Sequence, residues 1–177
     1  AGTTEHNIKN YSHGMFQSVY DYPYLSSSAN HIFDITLGVS TGSALYATVA
    51  TQKTKKKNIY NQMAQVLMGY DKSGNILQFD QDGDLTGGSK IKEAFFLSFA
   101  RLLTKDEIQK STFRMSFATG GTAGDSRFLN SMTVGDYGAD SAYKVNSPAG
   151  EYGILYTSSA TANESSGVGL IYYQAGV

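Results

Sequence analysis

The strict alternation of Phe33, Ile35, Leu37 and Val39 with Asp34, Thr36, Gly38 and Ser40 constrains this chain more than any other stretch. Side chains along a strand point to opposite faces in turn, so the run predicts a strand with one buried face. The pattern returns at Phe113, Met115 and Phe117, which alternate with Arg114, Ser116 and Ala118. Two shorter strands are expected at 153–157 and 168–174.

Between these strands the period changes. Ile59, Met63, Val66, Leu67 and Tyr70 recur at helical spacing, with Asn58 in front and Gly69 near the end, and predict an amphipathic helix over 58–69. Ser89 can cap a second helix carrying Ile91, Ala94, Phe95, Phe99, Leu102 and Leu103. Thr104 and Glu107 have capping-box spacing and predict a fresh helical turn from Lys105. The run Lys53-Thr54-Lys55-Lys56-Lys57 reads as a solvated basic loop, and Gly120 to Gly124 as a flexible one. Asp71 to Leu85 holds two Asp/Gly turns around a short apolar stretch, the composition of a hairpin. Together these segments predict the α+β class: an antiparallel β-rich domain over 31–177 with two main amphipathic helices, preceded by an extended N-terminal arm over 1–30. The apolar end, Leu170 to Val177, predicts either continuation into a longer polypeptide or pairing with another subunit.

Composition removes several function classes. Fourteen Lys and Arg against 15 Asp and Glu give a formal charge of -1, without the basic surplus that phosphate binding needs, so no specific nucleic-acid partner is expected. No apolar run approaches the roughly 18 residues of a membrane-spanning helix, and no membrane partner is expected. Zero cysteines exclude disulfides and thiolate chemistry. Thirteen Tyr, nine Phe and 19 Gly favour strands, turns and contact surfaces over a compact helical enzyme.

Catalytic and metal signatures are weak. All three histidines, His6, His13 and His31, fall in the first 31 residues and lack zinc-ligand spacing. Gly124-Asp125-Ser126 has the look of an esterase nucleophile, but no histidine follows position 31 to serve as its base. Asp80, Asp82 and Asp84 around Gly83 have the alternation of a calcium loop, yet the sixth and twelfth positions from Asp80 are Leu85 and Ile91 instead of Gly and Glu. A hairpin turn is the expectation there, with no metal and no cofactor.

Four segments carry a likeness to known proteins: Ser26-Ser27-Ser28-Ala29-Asn30-His31-Ile32-Phe33-Asp34, Lys57-Asn58-Ile59-Tyr60-Asn61-Gln62-Met63-Ala64-Gln65, Val145-Asn146-Ser147-Pro148-Ala149-Gly150-Glu151-Tyr152-Gly153 and Ser166-Gly167-Val168-Gly169-Leu170-Ile171-Tyr172-Tyr173. Together they resemble a virion structural protein of contractile-tailed phages, the marine cyanobacterial type, from about residue 20 to the end. The resemblance implies a non-enzymatic assembly component of the virion; it leaves baseplate or tail, neck and capsid exterior open, and tail, baseplate or neck is expected over the capsid. Its implied partners are copies of itself, as a homo-oligomer, and other virion proteins. The candidate subunit contacts are Tyr20, Tyr22 and Tyr24 of the arm, and Tyr172 and Tyr173 of the last strand.

Two alternatives stand beside this reading. Tyr-rich β structure with Gly/Ser loops also suits a carbohydrate- or receptor-binding module of a fibre or adhesin, since exposed rings stack on sugar faces. A hydrolase using Glu93, Glu107 or Glu151 would need these scattered carboxylates to converge in space.

Overall fold

The computed structural model describes residues 6–47, 50–101, 106–119, 130–159 and 162–177. The chain is α+β, with antiparallel sheets throughout. Strands β1 (Ile8–Asn10), β2 (Gln17–Tyr20), β3 (His31–Val39) and β4 (Glu93–Phe99) form a four-stranded sheet in that order. Two two-stranded sheets follow: β5 (Arg114–Thr119) with β6 (Asn130–Gly135), and β7 (Tyr152–Leu155) with β8 (Gly169–Tyr172). Helix α1 (Ala50–Leu67) is the one long helix among the described residues, and α2 (Ala139–Ala142) is a single turn.

The alternating run at 33–39 is β3, as its period requires, and it pairs with β2 on one side and β4 on the other. The expected arm therefore gives two strands to the sheet of its own domain. Asp21 fastens the β2–β3 loop, its Oδ1 accepting the Asn30 N–H at 2.7 Å and its Oδ2 the Asn30 Nδ2 at 2.9 Å. These bonds hold its carboxyl below the usual carboxylate range.

Helix α1 begins eight residues before the expected 58–69, and the lysine run 53–57 lies inside it instead of forming a loop. Lysine is a good helix former, and a turn that is polar all round carries no apolar period to reveal it. The ammonium of Lys53 sits 4.3 Å from the Tyr46 ring centroid, and Lys55 Nζ donates to the His13 carbonyl at 2.9 Å. Gly69, at φ 80°, ends the helix.

The second expected helix is corrected: residues 93–99 are strand β4. The run Phe95-Phe96-Leu97-Ser98-Phe99 is apolar on both faces, so neither a 3.6 nor a 2.0 period stands out, and aromatic residues suit a pleated surface. Pairing of Phe33 with Phe99 through Val39 with Glu93 supplies β3 with its second neighbour. The remainder of that helix at Leu102 and Leu103, Thr104 of the capping box and the 120–124 loop lie outside the described residues.

Helix α1 crosses the sheet at Gly38. A Cβ there would stand 2.8 Å from Phe96 Cε2 and 2.9 Å from the Tyr60 backbone nitrogen. The glycine lets Ile59, Tyr60, Ala64 and Leu67 settle on the sheet and join Met68, Phe79, Phe96, Tyr152 and Tyr172 in the main core. Tyr60, Phe79 and Phe96 meet ring against ring, with centroids 5.4 to 6.4 Å apart. A smaller core gathers Ala139, Ile171 and Tyr173.

The buried Asp136 ties that second core together. Its carboxylate accepts the N–H groups of Ser111 at 2.7 Å and Phe113 at 3.0 Å, Arg114 Nη1 at 3.1 Å and the Tyr173 hydroxyl at 3.0 Å. Four donors satisfy a charge that burial would otherwise penalise.

Gly38→Ala is expected to lower stability by about 1–3 kcal/mol, the range for overpacking a tight contact. Urea unfolding followed by circular dichroism measures this, and a midpoint equal to the parent's would remove the close approach from the account.

Candidate functional site

Two features stand out once the elements are placed. The first is an apolar cleft of about 530 Å³ beside β4. Phe95 and Leu97 of β4, Met115 and Phe117 of β5, Met132 of β6 and Leu170 of β8 all contribute to its wall. Phe95 is 66% exposed, and Phe117, Met132 and Val168 are exposed as well. Strand β4 is also the edge of its sheet. Its even-numbered residues bond to β3, as Ser40 N to Lys92 O at 2.7 Å and Ala100 N to Ile32 O at 2.9 Å mark at either end. In an antiparallel ladder the odd-numbered backbone groups then face away from β3. Phe99 N meets the Gly176 carbonyl at 2.8 Å, whereas among the described residues Glu93, Phe95 and Leu97 lie on an edge with no strand beyond it.

The second feature is the loop between Phe79 and Ile91. The Ile91 N–H bonds to the Phe79 carbonyl at 2.9 Å and the Gln81 N–H to the Ser89 carbonyl at 3.1 Å, so the expected hairpin turn is present. Gly83 adopts φ 72°, its carbonyl accepts Asn146 Nδ2 at 2.9 Å, and the Tyr152 hydroxyl lies 3.3 Å from the same carbonyl. Asp80, Asp82 and Asp84 each offer a carboxylate oxygen within 4.8 Å of the others. The Asp84 carboxyl is held below its ordinary value, first by the Thr86 N–H and further by Lys90.

The candidate contact tyrosines divide. Tyr22 is 60% exposed at the β2–β3 loop, while Tyr20 and Tyr24 are half-buried, ring against ring at 6.3 Å, with Tyr20 also against His31 at 5.5 Å. Tyr172 and Tyr173 are 2% and 0% exposed, and their rings build this chain's own cores. The reason is the pairing of β8 with β7, which turns Tyr172 onto Tyr152 at 5.1 Å between centroids and sends the Tyr173 hydroxyl to Asp136.

Of the three glutamates weighed for catalysis, two meet. Gln174 Nε2 donates to Glu107 Oε2 at 2.9 Å and to Glu151 Oε2 at 3.2 Å, and Lys110 Nζ lies 2.6 Å from Glu151. Lys110 holds the Glu151 carboxyl below its usual range, so this group stays ionised and is a surface ion pair instead of a poised acid. Glu93 stands apart, accepting the Ser43 hydroxyl at 2.6 Å. His31 pairs with Asp34 at 2.9 Å, while His13 stacks on Tyr11.

Sequence reasoning missed the cleft, which strands distant along the chain create, and it missed Asp136. A lone Asp between Gly135 and Tyr137 reads as a turn residue, and only the fold shows four donors around it. No protein-family model, curated protein or solved structure matches this chain.

Four of the buried tyrosines give this architecture an alkaline limit. Burial pushes the Tyr60 and Tyr152 hydroxyls up to about 12, and raises those of Tyr172 and Tyr173 further. A phenol whose folded pKa lies above its unfolded value near 10 stabilises the fold fully below pH 10 and loses that contribution as pH rises towards 12. Stability in urea is therefore expected to fall across this window, with phenolate absorbance of the buried rings appearing together with loss of circular dichroism. Complete tyrosine ionisation in a still folded chain would contradict it.

Proposed function

We propose that this protein is a non-enzymatic structural component of a tailed-phage virion, in the tail, baseplate or neck, and that it assembles through the β4 edge and the apolar cleft beside it. The exposed Phe95, on an edge strand with no strand beyond it among the described residues, is the observation that carries the reading. A strand from a second copy or a neighbouring virion protein laid along β4 would pair the backbone groups of Glu93, Phe95 and Leu97 and cover the apolar wall at once. The likeness of residues 20–177 to phage virion proteins supplies the setting.

Two findings weigh against the alternatives. Glu107 and Glu151 share Lys110 and the Gln174 amide, and Lys110 holds the Glu151 carboxyl below its usual range, where the acid of a glycosidase needs a raised one. Of the arm tyrosines only Tyr22 is exposed, so the tyrosines of the arm do not form a stacking face for a sugar.

Light scattering on the purified chain is expected to give a multiple of 19.1 kDa that rises with concentration, and Phe95→Asp is expected to shift the mass to that of the single chain. Circular dichroism of the variant should match the parent, because Phe95 lies outside the core. A parent that stays at 19.1 kDa at every concentration and binds no virion protein, or a variant that assembles like the parent, would overturn the proposal.

A further inference from the structure

The acidic loop is left over from this reading, and one atom in it is unexplained. Asp80 is 0% exposed. Its Oδ2 is fully occupied, by the Leu85 N–H at 2.7 Å and by Lys90 Nζ at 3.0 Å. Its Oδ1 is buried with no hydrogen-bond partner. A carboxylate oxygen taken out of water without a donor or a cation is costly, and it persists only where the site supplies something else.

The direction of that oxygen identifies what is missing. Asp80 Oδ1 and Asp82 Oδ2 flank one point beside Gly88, 3.8 and 3.2 Å from where a Cβ on Gly88 would stand. The position has no side chain to fill it, and Gly88 holds φ 61°. Asp84 brings the third carboxylate, so three oxygens lie within 4.8 Å of one another, a span that ligands about 2.4 Å from a common ion can cover. The charge is also only partly compensated. Three carboxylates stand against Lys90 and Lys144, whose stem packs on Gly83 at 3.1 to 3.3 Å from its Cβ position, so the cluster stays negative even with both ammonium groups counted.

We propose that Asp80, Asp82 and Asp84 bind a calcium ion, with Asp80 Oδ1 as the inner ligand. Calcium takes 6–8 oxygen ligands in flexible geometry, so three carboxylates with water and loop carbonyls form a site of moderate strength. Magnesium demands near-ideal octahedral geometry and gives up its water reluctantly, so it is the weaker occupant. The loop departs from the EF-hand register, with Leu85 and Ile91 at the sixth and twelfth positions, because it closes as a hairpin between Phe79 and Ile91 and not between two helices. Occupancy would fix this hairpin against Asn146 and Tyr152, both of which lie against the Gly83 carbonyl.

Terbium(III), a luminescent stand-in for calcium, tests the site, since the Tyr152 ring beside the loop sensitises its emission. In the parent, emission is expected to rise saturably with terbium and to fall on adding calcium, with magnesium a far weaker competitor. Asp82→Asn/Asp84→Asn should lose at least tenfold in terbium and calcium affinity. Calcium should raise the Tm of the parent and leave that of the variant unchanged. Asn keeps the oxygen that accepts the Thr86 N–H, and Asp84→Asn alone serves if the double variant does not fold. Absence of saturable emission in the parent, or a folded variant that binds both ions as the parent does, would overturn the proposal.

Discussion

The contact between Gly38 and Tyr60 governs the rest of the molecule. With no side chain at Gly38, the backbone of α1 rests directly on β3, and the tyrosine that lands there reaches through the core. Its hydroxyl donates to the Ile91 carbonyl at 2.6 Å and accepts the Phe79 N–H at 3.3 Å. One ring thus links the helix, the sheet and both stems of the acidic loop. Any residue that pushed α1 outward by the width of a methyl group would draw the hydroxyl off both partners and loosen the platform on which Asp80 sits.

The same device recurs throughout the core. Tyr152 donates to Asn146 Oδ1 at 2.7 Å, Tyr172 to the Met68 sulfur at 2.9 Å and Tyr173 to Asp136. Each ring buries a large apolar area while its hydroxyl finds a fixed acceptor, so each tyrosine specifies orientation as well as supplying cohesion. This settles a tension in the composition. Five of the thirteen tyrosines, Tyr60, Tyr152, Tyr156, Tyr172 and Tyr173, are spent on the interior, and the apolar wall beside β4 is built instead with Phe95, Phe117 and Met132. The edge strand and the loop lie at separate places on the fold, one suited to a macromolecular neighbour and the other to an ion.

Legibility in the sequence followed the length and purity of each pattern. Strand β3 was readable because seven consecutive residues alternate without exception, and β5, β7 and β8 were readable because turns isolate them. The C-terminal half of α1 was readable from its apolar stripe, but the lysine-rich half was not, because its turns have no apolar face. Strand β4 was misread because a run apolar on both faces satisfies either period, and the choice fell to β3, which needed a hydrogen-bonded partner. The three aspartates were visible as a motif. What could not be seen was that Asp80 is fully enclosed with one oxygen open, since burial arises from Lys90, Asn146 and Tyr152 closing around the loop.

The sequence by itself determined the α+β class, the principal strand, the core stripe of α1 and the hairpin at Gly83, because each rests on interactions between residues near in the chain. Tertiary structure alone decided that β4 is a strand and an edge, that Tyr172 and Tyr173 are interior, and that the Asp80 cluster encloses an unpaired oxygen. Those outcomes depend on which distant segments exclude water from one another. Local periodicity records which side of an element prefers to be buried, but not what arrives to bury it.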